Sequence, residues 1–398
     1  MKHRWPTVPL GEVASVIRGV SFDKSEATDF PREGSMPILR AGNIAGGLDL
    51  EHDLIWVSEA RVSQEQRLCK GDVVIAMSSG SRDVVGKTAQ LQHPWYGSVG
   101  AFCAIIRFSP KLNARFGAFW LQSAQFSRWR FAQSQGANIQ NLRKSDLESV
   151  PIPLPPLSEQ ERIVGILDEA EGLRQRRAEA DRRTAELLPA LFHHMFGDPA
   201  TNPKRWPVVT LGEIGGPGQY GLNAAAAPEQ EGVRFVRITD IDDRGQLREA
   251  EAAYVPSDLP DLAKYELHEG DILIARSGAT AGKSYLHAGL PFRAVFAGYL
   301  IRFRIEESKA LPAYVAAFLR TKEYWRQLYS FKRAVAQPNV NAKQLSSLRI
   351  PLPPLSLQRE FAERVGEVRE LERRQAESRR RLDALFAALL DRAFNGAL

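Results

Sequence analysis

The sequence predicts an α+β fold: two tandem globular domains, β-rich with helices, separated by two long helices that pair as an antiparallel coiled coil about a pseudo-two-fold axis. Three observations predict it. The chain repeats itself at half its length, each copy closes on a proline-rich connector, and a heptad seam follows each connector. The 398 residues, 44% apolar and 25% charged, have ordinary globular composition and leave each half long enough to bury a core.

The duplication rests on three ordered matches. Trp5-Pro-Thr-Val-Pro-Leu-Gly-Glu12 recurs as Trp206-Pro-Val-Val-Thr-Leu-Gly-Glu213, and Lys70-Gly-Asp-Val-Val-Ile-Ala76 as Glu269-Gly-Asp-Ile-Leu-Ile-Ala275. Pro153-Leu-Pro-Pro-Leu-Ser158 recurs as Pro351-Leu-Pro-Pro-Leu-Ser356. Solenoid repeats run about 20–50 residues, so a period of half the chain means a pair of whole domains. The expected boundaries are residues 1–157 and 198–355 for the globular domains, with long helices over 158–197 and 356–398.

Each copy opens with a Trp-Pro turn and short β-like runs. Val73-Val-Ile-Ala-Met77 and Ile272-Leu-Ile-Ala275 follow a Gly-Asp turn and read as buried strands. An aromatic helical stretch comes next, Phe116 to Phe131 in one copy and Tyr314 to Tyr329 in the other. Val150-Pro-Ile-Pro-Leu-Pro-Pro-Leu157 and Ile350-Pro-Leu-Pro-Pro-Leu355 then close the domains. Alternating prolines cannot continue a helix or a central strand, so each block reads as a stiff extended connector.

Ser158-Glu-Gln-Glu161 has the form of a capping box, which Arg359 leaves incomplete after Ser356. Beyond it, Ile163, Ile166, Ala170, Leu173, Arg177, Ala180, Thr184, Leu187 and Leu191 step by three or four residues. The second helix carries Phe361, Arg364, Val368, Leu371, Gln375, Ser378, Leu382, Leu385 and Leu389 at the matching places. Such a thin stripe suits a helix pair better than a broad core face. The apolar members are the candidate seam; packing of each helix on its own domain is the alternative. Gly197 and Gly396 supply C-terminal stops, and Pro189 should kink the first helix near its end.

Several function classes are excluded or weakened. No stretch approaches the roughly 18 apolar residues of a membrane helix. No apolar run follows Met1, so no secretory signal is expected and the cytoplasm is the expected compartment. Cys69 and Cys103 are too few for a disulfide framework or a thiolate zinc cluster, and His193-His194 lacks further ligands, so no metal site is expected. Gly278-Ala-Thr-Ala-Gly-Lys-Ser284 has three residues before its Gly-Lys and Gly80-Ser-Arg-Asp-Val-Val-Gly-Lys-Thr88 has five, where a phosphate loop needs four. The shared Gly-Lys reads instead as a turn presenting a cation. Gly216-Pro-Gly-Gln-Tyr-Gly221 matches a dinucleotide fingerprint without its βαβ context. Pro260-Asp261 and Glu307-Ser-Lys309 have no counterpart in the first copy and read as surface residues. No catalytic residue is expected.

Charge points to nucleic acid. The net charge is +6 with a pI near 9.3. Residues 1–157 hold 18 basic and 14 acidic groups and residues 197–355 hold 20 and 17, so the excess sits in the two globular domains. Arg can bridge guanine O6 and N7, Asn and Gln can bridge adenine, and Lys and Arg neutralise phosphates. The candidate contacts in the first domain are Arg40, Ser79, Ser81, Arg82, Lys87, Arg128, Arg130, Gln133, Gln135, Asn138 and Gln140, with Asn141 adjacent. In the second they are Arg237, Arg276, Ser277, Thr280, Lys283, Lys332, Arg333, Gln337, Asn339 and Asn341. Ser78-Ser-Gly-Ser-Arg82 and Arg276-Ser-Gly-Ala-Thr280 follow equivalent strands, where loops gain rigid support.

Ile152-Pro-Leu-Pro-Pro-Leu-Ser-Glu-Gln160 with its helix to Phe196-Gly197, and Pro351-Leu-Pro-Pro-Leu-Ser356 with its helix to Phe394, resemble the specificity subunit of a type I restriction–modification enzyme. The Gly71-Asp72 and Gly270-Asp271 strands fit that resemblance, which covers essentially the whole chain. It implies that each globular half is a target-recognition domain for one part of a bipartite DNA sequence. It also implies that the helix pair is a ruler around which two methyltransferase subunits dock, with motor–nuclease restriction subunits in a cleaving complex. S-adenosylmethionine, ATP and magnesium would then belong to those partners, and adenine N6 would be the methylated atom. Two other readings stay open: a coiled-coil adaptor for protein partners, and an ATPase or nuclease built on the near-miss motifs.

Overall fold

The structure is a computed structural model and describes residues 5–44, 46–80, 84–133, 141–226, 232–248, 252–332 and 339–398. The chain divides into two compact units, one of Met1–Arg177 with Ser378–Leu398 and one of Ala178–Glu377.

The first unit begins with β1 (Thr7–Pro9), β2 (Ala14–Arg18), β3 (Ser35–Leu39), β4 (Ile55–Ser58), β5 (Val73–Ala76), β6 (Thr88–Gln90), β7 (Ser98–Val99) and β8 (Cys103–Phe108). Helices α1 (Ala114–Trp120), α2 (Ala124–Gln133) and α3 (Lys144–Ser149) follow, then β9 (Pro151–Pro153) and the 40-residue α4 (Leu157–Phe196). An antiparallel sheet runs β2-β8-β5-β6, with the apolar β5 buried along its whole length. A smaller sheet runs β4-β3-β7, its β3–β7 pair parallel.

The second unit repeats this order. Its strands are β10 (Val208–Thr210), β11 (Gln219–Tyr220), β12 (Val233–Val236), β13 (Tyr254–Val255), β14 (Asp271–Ala275), β15 (Ser284–Leu286), β16 (Ala294–Phe296), β17 (Leu300–Arg304) and β18 (Arg349–Pro351). Short helices α5 (Leu211–Gly215) and α6 (Leu262–Tyr265) interrupt them. After β17 come α7 (Pro312–Phe318), α8 (Lys322–Lys332) and α9 (Ala342–Ser346), and β18 leads into the 40-residue α10 (Leu355–Phe394). The sheets run β11-β17-β14-β15 and β13-β12-β16, strand for strand the topology of the first unit.

Two of the repeated motifs prove to be one structure. In the first unit the Trp-Pro strand pairs antiparallel with the proline connector, Val8 opposite Ile152, and in the second Val209 lies opposite Ile350. A two-stranded ribbon leaves outer edges on which prolines displace no ladder bond, so the alternating prolines are tolerated. The third motif is a buried ion pair. Asp72 accepts the Cys69 N–H at 2.7 Å and the Arg107 Nη2 at 2.7 Å. Asp271 likewise accepts the His268 N–H at 3.0 Å and bonds Arg304 Nε (3.0 Å) and Arg302 Nη1 (3.2 Å). The Gly-Asp dipeptide recurs because this carboxylate ties the turn before the central strand to the neighbouring strand.

The connectors are anchored by a residue that the capping-box pattern does not single out. Ser158 lies inside α4, and the Pro156 carbonyl takes the first helical bonds from Glu159 and Gln160 instead. Gln160 is buried; its Oε1 accepts the Asn113 N–H at 2.7 Å and its Nε2 donates to the Pro155 carbonyl at 2.8 Å. Gln358 does the same for Leu311 N–H and the Pro353 carbonyl, both at 2.8 Å. α4 continues through Pro189 as far as its proline-free counterpart does, and the glycines Gly197 and Gly396 follow the two ends.

Within each unit the long helices run antiparallel. In the first, Arg174 Nε reaches Asp383 Oδ1 at 2.7 Å, while Arg162, earlier in α4, reaches the carbonyl of Leu398, later in the chain. In the second, Gln375 Nε2 donates to Thr184 Oγ1 at 2.9 Å, and Phe192, later in α4, lies edge-on to Phe361, earlier in α10. The helices also complete the domain cores, so both packings weighed from the sequence occur together. Ile163, Leu167 and Ala170 share one core with Leu10, Phe116, Phe386, Leu390 and Phe394. Phe192, Phe196, Phe361 and Val365 share the other with Tyr314 and Leu345.

The buried stripe departs from the expected seam. Ile163, Ala170 and Phe361 are buried, and Ile166, Ala180, Leu191, Val368, Leu382 and Leu389 are partly so. Leu173, Leu187, Leu371 and Leu385 are exposed. Leu167, Val365, Phe386 and Leu390 take the inward places, because a stripe that must also meet a domain core is wider than a heptad seam.

Candidate nucleic-acid interface

Equivalent backbone clamps form at the ends of the two central strands. In the second unit the Arg276 N–H donates to the Tyr299 carbonyl (3.0 Å), and the Arg276 carbonyl accepts the Val340 N–H (2.8 Å). In the first unit Met77 occupies the same slot, bonded to the Phe102 carbonyl (2.8 Å) and the Leu142 N–H (2.7 Å). Bridges Ser78–Asn141 and Ser277–Asn339 continue each clamp. The Ser-Gly loops and the ends of the amide-rich segments, more than 60 residues apart in sequence, therefore meet in both units.

Around the second clamp the side chains converge. The Arg276 guanidinium lies 4.9 Å from the Tyr220 ring centroid, and its Nε makes a long 3.4 Å hydrogen bond to Asn339 Oδ1. Tyr220 is itself fixed, its Oη accepting the Ala342 N–H at 3.1 Å. Ser277 is half-buried, and Thr280 Oγ1 donates to the Ser277 carbonyl at 3.3 Å. Lys283 pairs with Asp243 at 2.6 Å, a contact that holds the Asp243 carboxyl below the usual range. Arg237 clamps the buried Asp240 at 2.9 Å. Asn341 caps α9, accepting the Gln344 N–H at 2.8 Å.

In the first unit a groove of about 320 Å³ brings Lys87 and Arg130 together with Thr88, Gln122 and Ser127. Arg130 Nη1 donates to the Val85 carbonyl at 3.1 Å and its guanidinium lies 5.3 Å from the Phe131 ring centroid. Gly86 and Gly282 explain the repeated Gly-Lys: both have positive φ, and a Cβ would stand 2.3 Å from Arg130 Cδ or 2.1 Å from Leu328 Cδ2. Exposed Arg128 donates from Nε to the Ala124 carbonyl at 3.3 Å, and Arg40 bonds the Asp53 carbonyl at 2.8 Å. Ser79 is half-buried beside the clamp.

Gln133 and Lys332 close α2 and α8. Ser81, Arg82, Gln135, Asn138, Gln140, Arg333 and Gln337 lie outside the described residues. Sequence reasoning missed Tyr220, Phe102 and Tyr299. Among the described residues the last two are the most exposed large apolar side chains of their units, at 70% and 62%, and they stand on equivalent turns at the two clamps. Aligning Gly100-Ala-Phe102 with Gly298-Tyr299 would have found them.

The dinucleotide-like motif and the histidine pair resolve into ordinary structure. Gly216 ends α5 and the Gln219-Tyr220 that follows is a strand, not the helix a dinucleotide fingerprint opens. His193 and His194 are exposed. Among the described residues no group of three or more His, Cys, Asp or Glu could hold a metal ion, and no helix is long and apolar enough to cross a membrane.

The family described as Type I restriction modification DNA specificity domain matches twice, over residues 2–179 and 203–377. The StySPI specificity subunit of the type I restriction enzyme from Salmonella potsdam is 27% identical over 415 residues, covering 99% of this chain and 89% of that protein. The EcoKI specificity subunit from Escherichia coli K12 is 27% identical over 425 residues with the same coverage. The fold is also that of the type I restriction–modification S subunit from M. genitalium, with a TM-score of 0.56 at 15% identity over 98% of this chain and 96% of that one. A chain from a study of type I R-M complex assembly and conformational transition gives 0.57 at 22% identity over 100% and 99%.

Proposed function

The chain belongs to the type I restriction modification DNA specificity family, and from that premise we propose that its two units each read one half of a bipartite DNA target. One observation carries the reading: both units gather a strand-end loop, an asparagine and an exposed aromatic at the same backbone clamp. Loops braced on a rigid sheet hold contact groups in place without ordering them on binding.

The long helices act as the ruler for the unread spacer and as the dock for two methyltransferase subunits, with motor–nuclease subunits added in a restricting complex. Two exposed leucine pairs support the docking. Leu173 and Leu385 flank the Arg174–Asp383 ion pair in the first unit, and Leu187 and Leu371 lie one helical turn beyond Thr184 and Gln375 in the second. The chain is the non-catalytic member of a cytoplasmic complex. S-adenosylmethionine, ATP and magnesium belong to its partners.

Methylation mapping of genomic DNA, with and without this gene beside its methyltransferase, tests the reading. Loss of N6-methyladenine at one split motif is the expected result. An unchanged methylome in a strain with an active partner overturns it in favour of a coiled-coil adaptor.

A further inference from the structure

The slot at the end of the central strand holds different chemistry in the two units. Met77 is buried and joins the apolar core of the first unit. Arg276, under the same two main-chain bonds, leaves the core of the second and stacks on Tyr220. We propose that Arg276 reads a guanine in the half-site of the second unit, with Tyr220 and Asn339 as its positioning residues, and that Met77, in the matching slot of the first unit, makes no such contact. This rests on the DNA-reading function above.

Tyr220 covers one face of the guanidinium and Asn339 occupies Nε, so the two Nη groups are the edge left to meet a ligand; among the described residues neither has a partner. Two parallel donors on a planar, permanently charged fork match two adjacent acceptors. The major-groove edge of guanine offers that pair, O6 and N7, whereas adenine places a donor, N6–H₂, beside its N7. A phosphate would also accept the fork, but it is equally well met by flexible cations. Pinning main chain, ring face and Nε together is unnecessary for a charge contact and useful for a directional one. The neighbouring Tyr299, exposed on the turn whose carbonyl holds Arg276, adds an aromatic face at the same point.

The test is selection of sites from a random duplex pool by the complex of this chain with its methyltransferase partner, comparing wild type, Arg276→Ala, Arg276→Lys and Tyr220→Leu. The wild type is expected to select a split motif. In Arg276→Ala the preference for one G·C pair, in one half only, should fall roughly 5- to 150-fold, the range for losing a bidentate base contact. Arg276→Lys keeps the charge but loses the planar fork and should lose part of the same preference, as should Tyr220→Leu. If Arg276→Ala abolishes binding, Arg276→Lys decides alone. A uniform loss over all sequences, or an unchanged motif in both Arg276 variants, overturns the proposal. A wild-type complex that selects no sequence overturns the DNA reading itself, before any variant is compared.

Discussion

Leu91 and His287 occupy equivalent places: each donates its N–H to the main-chain carbonyl of the buried aspartate, Asp72 at 2.8 Å and Asp271 at 2.9 Å. Burial pushes the His287 imidazole below its ordinary 6.5; His268 adds to this, and Asp271 and Glu269 oppose it. Tyr285 Oη lies 3.1 Å from its Nδ1. An unfolded chain therefore takes up a proton near pH 6.5 that the folded second unit refuses, so stability falls as pH drops through that value and levels only below the folded pKa. His287→Leu, which installs the residue of the first unit, should flatten the dependence. Urea midpoints between about pH 7.5 and 5 check it, and parallel curves for the two proteins would sink the idea. The aspartates differ in the same spirit. Arg302 is 2% exposed and Arg107 30%, so Asp271→Ala strands the more deeply buried cation. It should cost about 3–5 kcal/mol, and Asp72→Ala less, as read from denaturant midpoints. Neither ion pair was legible beforehand, because a Gly-Asp turn announces a bend and not the partner of its carboxylate. Arg276 was legible as a contact candidate; its clamp and its Tyr220 support were not, since they join segments far apart in sequence.

Among the elements, the connectors and long helices were the most legible parts. Their prolines and 3.6-residue period are local signals, and the helix pattern needs only its own stretch of chain to be read. What escaped was the third residue of the Ser-Glu-Gln-Glu run. A buried glutamine that satisfies a distant main chain looks, in sequence, like any polar residue in a first helical turn. Gln160→Ala should leave the Asn113 N–H and the Pro155 carbonyl without their partner, and Gln358→Ala the equivalent groups of Leu311 and Pro353. A loss of about 1–3 kcal/mol for each is expected from thermal or urea unfolding, because an unsatisfied buried group costs its full desolvation. Losses within error would show that water replaces the side chain. The stripe of the long helices shifted for a related reason: periodicity marks an apolar face but not how many surfaces it must serve, and Leu167 and Phe386 serve a helix and a domain core together.

At the scale of the molecule, the duplication alone carried most of the architecture. Strand orders repeat completely between the units, while the slot at the end of the central strand holds Met77 in one and Arg276 in the other. That division of labour predicts modularity. Replacing residues 1–150 with the corresponding segment of a relative should change one half of the recognised sequence and leave the other intact, as read by methylation mapping; simultaneous change of both halves would refute it.

One feature of the cores also bears on how the protein is made. Ile163, Leu167 and Phe116 bury themselves against Phe386, Leu390 and Phe394, so the unit that is translated first is completed by a stretch translated after the whole of the second. On the ribosome, Ala178–Glu377 is a continuous piece that can finish folding while its predecessor still waits with an open apolar face. The older half is thus sealed by Ser378–Leu398, and a polypeptide that stops before them leaves that face bare for chaperones and proteases. Synthesis thereby acquires a checkpoint: only a chain translated past Phe394 completes the core of its first unit.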